Sequence, residues 1–149
     1  MQFTLKSFQQ LSIEELYEIM RLRQAVFVVE QDCVYLDADD KDQASLHLMG
    51  IENDQLLAYA RLMPHGLSYE GYPSIGRIIT SEVGRGKGYG KLLVTKAIEC
   101  CHQQWGKTAI KIGAQTYLLK FYQNFGFEVI GEEYLEDGIP HIHMVLPVK

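Results

Sequence analysis

The segment from Ser74 to Gln115 constrains the fold most, because its periodicity changes twice. SIGRIIT is short, β-branched and strand-like. KLLVTKAIECCHQQW then carries an apolar stripe through Leu93, Ala97, Cys100 and Cys101 at helical spacing and stops at Gly106, after which TAIKIGAQ is strand-like again. A strand, helix, strand order implies an α/β sheet.

The flanking sequence extends this pattern. FTLKSF alternates apolar and polar residues and predicts a strand over about Gln2 to Phe8. Ser12 and Glu15 have capping-box spacing, and Leu16, Ile19, Met20, Arg23 and Phe27 recur at helical intervals in a helix ending near Val29. SLHLMGIENDQLLAYARLMP holds two apolar runs around Asn53 and Asp54, a hairpin signal. YLLKFYQNFG is a short helix ended by Gly126, and two last strands flank the turn at Asp137 and Gly138. The expected architecture is a mixed α/β sheet with hairpins at both ends. With no repeat, low-complexity tract or linker, residues 1–149 are expected to form one domain.

Composition narrows the function classes. The chain is 47% apolar and 22% charged, as in ordinary globular proteins, and no run of eighteen apolar residues predicts a membrane partner. MQFTLKSFQQ lacks the features of a signal peptide, and three cysteines without CxxC spacing fit a reducing compartment, so a cytoplasmic location is expected. A net charge of -5 argues against a general nucleic-acid binder and permits a cationic substrate.

Between strand and helix lie four glycines at alternate positions, Gly84, Gly86, Gly88 and Gly90, with Arg85 and Lys87 between them. Backbone amides approach a phosphate closely only where side chains are absent, and a helix N-terminus adds unpaired N–H groups and a positive dipole end. A phosphate or pyrophosphate ligand is expected. A P-loop is excluded because Arg85 and Leu92 stand where it needs glycine and Ser or Thr. A dinucleotide fingerprint is excluded because Lys91 stands where it needs glycine or alanine.

Arg85, Gly88 and Gly90 do match Q/R-x-x-G-x-G/A, and AQTYLLKFYQNFGF places Tyr122, Gly126 and Phe127 in a second register. On these motifs the sequence resembles the GNAT N-acetyltransferases, with Gln115 where the family often has Asn and Leu118 where it often has Ala. RQAVFVVEQDCVY, AYARL and EYLEDGIPHIHM further resemble its ElaA-like branch. The resemblance implies a central, mixed, mostly antiparallel twisted sheet flanked by helices, with acetyl-CoA as donor substrate and no metal. The acceptor would be a small-molecule or peptide amine, attacking the thioester directly, and a homodimer is possible in such a family. A non-catalytic acyl-CoA-binding or sensing module is the alternative.

The same resemblance assigns roles. Arg85, Gly86, Lys87, Gly88, Tyr89 and Gly90 would hold the pyrophosphate, the backbone of Ile78, Ile79 and Thr80 the pantetheine arm, and Gln115 would keep an amide contact. Tyr122 matches the general acid facing the departing sulfur; its alternative is a half-buried helix tyrosine. For the base, Glu30 follows an apolar run at the expected end of the first helix, whereas Glu82 reads as a solvated loop carboxylate. His141 and His143, two apart on a strand, share a face, and His141 is a second candidate base or pocket residue. They lack a third metal ligand. The acidic run LDADDKD fails the EF-hand spacing and reads as a solvated loop beside the substrate groove. Arg77, inside an apolar strand, faces either a buried partner or solvent.

Overall fold

The computed structural model describes residues 1–148. Seven strands form one sheet: β1 (Gln2–Ser7), β2 (Leu46–Glu52), β3 (Gln55–Met63), β4 (Ser74–Thr80), β5 (Ile110–Gln115), β6 (Glu128–Glu136) and β7 (Ile139–Leu146), in the order β1-β2-β3-β4-β5-β7-β6. All neighbours are antiparallel except β4 and β5. That pair flanks helix α2 (Tyr89–Trp105), as a parallel crossover requires. Among the described residues no helix is long and apolar enough to cross a membrane.

Local chemistry explains the elements. Helix α1 (Ile13–Arg23) opens on the expected capping box: the Glu15 amide donates to Ser12 Oγ at 3.0 Å, and the Ser12 amide to Glu15 Oε1 at 2.8 Å. The chain then widens into a π-helical segment, Gln24–Glu30, a geometry frequent at functional sites. Both tight hairpins use residues with positive φ, Asn53 and Asp54 in one and Asp137 and Gly138 in the other, which matches the twist of paired strands. Leu93, Val94, Ala97 and Cys101 of α2 pack with Leu48, Ile110 and Met144 in the larger core; Ile19 and Val26 pack with Met49, Tyr59 and Ile79 in the smaller one.

The acidic run corrects the sequence reading. Asp37 and Asp42 are buried rather than solvated, and only Asp39 and Asp40 retain substantial exposure. Arg23 Nε donates to Asp37 Oδ2 at 2.7 Å and its Nη1 to Asp42 Oδ1 at 2.6 Å. Arg61 forks onto Asp39 at 2.7 and 2.8 Å, and Arg77 Nε donates to Asp37 Oδ1 at 2.8 Å. Three guanidinium groups thus balance three carboxylates, as burial of charge demands. Arg77 therefore faces a buried partner. His47, read as an ordinary strand residue, is fully buried beneath this network, with Nδ1 2.6 Å from the Tyr59 hydroxyl and Nε2 2.9 Å from the Asp42 carbonyl.

Candidate active site

The site begins at a seam. β4 and β5 share a single register pair, Ser74 with Lys111, where the Lys111 amide donates to the Pro73 carbonyl at 3.1 Å. Beyond it the strands diverge, leaving the β5-facing edge of β4 without a ladder. On its other edge β4 keeps pairing with β3, but the register shifts between Tyr59 and Arg61, so Arg77 and Ile78 bulge opposite Ala60. Arg77 has φ +48°, a costly conformation for a residue other than glycine, and its bonds to Asp37 hold it there.

Two cavities meet at this seam. The larger, about 560 Å³, lies between the 31–41 loop and strands β4 to β7; the smaller, about 390 Å³, lies between the π-helical segment, β4, α2 and the short helix α3 (Leu119–Gln123). Phe27, Gln31, Ile78, Gln115, Leu118 and Tyr122 line both. Tyr122 is 5% exposed, its ring set edge-on against Phe121 and Phe127. Burial raises its pKa, so the phenol stays protonated. Leu118 places an apolar wall here, and the Gln115 amide reaches Gln31 Oε1 at 3.5 Å.

The glycine turn closes the smaller cavity. Gly86 and Gly88 have φ +79° and +76°, a region that other residues enter only with strain, and Gly88 caps α2 without a side-chain hydrogen bond. The first amides of a seventeen-residue helix therefore point out of the turn unpaired by any cap. Gly90 faces the cavity, with Phe121 as its nearest neighbour. Thr80, Ile79 and Arg85 line it as well.

Other expected site residues lie to either side. Arg85 grips Glu30 through both nitrogens, at 2.5 and 2.8 Å, and donates to the Thr80 carbonyl at 3.3 Å. That hydrogen bond lowers the Glu30 pKa. Glu30 is thus on the smaller cavity, exposed and held as a carboxylate, apart from the two histidines. Lys87 is exposed over the Tyr89 ring, whose hydroxyl donates to Glu52. His141 and His143 both line the larger cavity, as their shared face predicts. No group of three or more His, Cys, Asp or Glu side chains is placed to hold a metal among the described residues.

Two residues of this cavity went unread in the sequence. The Tyr134 ring stacks on His143, 4.6 Å between centroids, and Tyr69 meets His143 edge-on at 5.4 Å. A Cβ at Gly113 would lie 2.7 Å from the Tyr134 hydroxyl and 3.0 Å from that of Tyr69, so glycine there lets both phenols reach the floor. The signal was Gly113 itself, a glycine inside an otherwise apolar strand.

Comparison with known proteins agrees with this geometry. The family model for the acetyltransferase (GNAT) domain matches residues 7–148. Protein ElaA of Escherichia coli K12 is 45% identical over 141 residues, 93% of this chain and 92% of that protein. Its crystal structure superposes with a TM-score of 0.89, at 41% identity and 97% coverage of both chains. An acyl-CoA N-acyltransferase from Pseudomonas aeruginosa superposes with a TM-score of 0.91, at 40% identity and 97% coverage of both. On this match and these identities, the chain belongs to the GNAT acetyltransferase family.

Proposed function

We propose that this protein transfers an acetyl group from acetyl-CoA to a primary amine, the two substrates meeting in a ternary complex at the seam. The observation that carries this reading is the junction of two cavities that share Tyr122, one bordered by Arg85 and Gly90 of the glycine turn and the other lined by aromatic and histidine side chains. The P. aeruginosa relative is described as an acyl-CoA N-acyltransferase, which supports an acyl-CoA donor.

Amides of Gly86 to Gly90 would bind the pyrophosphate, with Arg85, Lys87 and Tyr89 around it. The free edge of β4 at Ile78, Ile79 and Thr80 would take the pantetheine arm as an added strand, and an amide of the bulge would face the carbonyl oxygen. When bound, the donor supplies a thioester open to attack. Tyr122 would protonate the departing sulfur, Gln115 would orient the junction, and the larger cavity would hold the amine. Glu30 serves Arg85 in this reading and is not the base, because it lies away from the acceptor side and its charge is already engaged.

Acetyl-CoA at a hundred times its Kd is expected to add about 2.7 kcal/mol of stability, about 5–10 °C in Tm for a chain this size, whereas ATP adds nothing comparable. No response to any CoA species would sink the donor assignment. Gly88→Val forces a branched residue to φ +76° at the start of α2. It is expected to weaken acetyl-CoA about tenfold or more, measured by calorimetry; unchanged affinity would remove the turn from the donor site. A screen of small amines and peptides, reading released CoA thiol, identifies the acceptor.

A further inference from the structure

The amine must lose a proton before it attacks, and the structure offers few groups able to take it. Asp37, Asp39 and Asp42 are committed to arginines, and Glu30 to Arg85. His143 is clamped between Tyr69 and Tyr134, and burial together with the nearby Lys111 ammonium lowers its pKa. His141 differs from all of these. It stands opposite Gln115 across the β5–β7 ladder, so its side chain lies on the same face as the residue that lines both cavities.

Its hydrogen bonds fix its tautomer. Nδ1 lies 2.7 Å from the Ile139 carbonyl, which can only accept, so Nδ1 carries the proton in the neutral ring and Nε2 presents a lone pair. Nε2 is 3.4 Å from Glu136 Oε2. The imidazole is 9% exposed whereas the Glu136 side chain is 59% exposed, so this carboxylate joins a buried nitrogen to bulk water.

Resting on the transferase reading, we propose that His141 is the general base and Glu136 its positioning residue and proton outlet. The N–H bond of the acceptor ammonium breaks, its electron pair remains on nitrogen for attack, and the proton forms a bond to His141 Nε2. The imidazolium then donates to the Ile139 carbonyl through Nδ1 and to Glu136 through Nε2. Transfer of the Nε2 proton through Glu136 to water restores the starting tautomer. The titratable groups around the ring are Glu136 and Tyr134 of β6, His143 of β7 and Tyr69 across the cavity, with Lys111 of β5 against Tyr69. Of these, Glu136 is the anion in contact with Nε2.

Two measurements test this. Nitrogen-15 NMR of the imidazoles should show His141 protonated at Nδ1 when neutral. A neutral ring protonated at Nε2 would overturn the proposal. With the amine that gives the fastest CoA release in the screen, His141→Gln should lower kcat about 100-fold while acetyl-CoA still raises Tm as in wild type. Glu136→Gln, a substitution on the surface, should lower kcat severalfold with KM and Tm unchanged, and an unchanged kcat would overturn its role as outlet. Equal rates for wild type and a folded His141→Gln would refute the base. If no amine is acetylated while the NMR result holds, the transferase reading fails and the His141–Glu136 proton site stands.

Discussion

Arg23→Ala is expected to lower the unfolding free energy by about 3–5 kcal/mol at pH 7, a large part of the ~5–15 kcal/mol available to a domain. Arg23 is fully buried and is the link between Asp37 and Asp42. Its removal leaves two carboxylates under-compensated inside the fold. Urea unfolding measures the effect, and a loss below about 1 kcal/mol would show that solvent reaches the network. Acid should act on the same groups. Burial opposes the charge on Asp42 and Asp39, yet bonds from Arg23 to Asp42 and from Arg61 to both hold each pKa below the usual range. Because the folded pKa values are depressed, this contribution is present above the unfolded value of about 3.9 and is lost as pH falls through the lower folded values. The wild-type urea midpoint should therefore drop steeply below pH 4, and Arg23→Ala should flatten that slope.

Tyr122→Phe is expected to cut kcat about 10²- to 10³-fold with little change in acetyl-CoA affinity or in Tm. The phenol ring, which makes the packing contacts, is kept. Among the described residues no hydrogen bond ties the hydroxyl to the chain, so its loss strands no partner. A transferase needs that proton when the thiolate leaves, whereas a CoA-binding module does not. Single-turnover rates separate the two readings: an unaltered rate takes Tyr122 out of the mechanism.

The fold was legible where one residue type dictates one geometry. Ser12 with Glu15 fixed a helix start, Asn53-Asp54 and Asp137-Gly138 fixed hairpins, and the glycine turn fixed the start of α2. The acidic loop was misread because its partners are remote in sequence, at positions 23, 61 and 77. Arg61 and Arg77 each sit in an otherwise apolar run and Arg23 on the apolar stripe of α1, and three such misplaced cations beside one aspartate-rich loop were a readable sign of a buried network. The partner of Glu30 was hidden for the same reason: Arg85 is fifty-five residues away. Tyr69 carries no local pattern at all, since only the sheet order brings it beside β7, whereas Glu136 reaches β7 through the Asp137-Gly138 hairpin.

The single rung between β4 and β5 has a kinetic consequence. If the two cavities hold donor and acceptor as proposed, each substrate can arrive without waiting for the other to depart, and the protein has no need to carry the acetyl group itself between two half-reactions. On the same reading, spent CoA and acylated product would depart from different cavities.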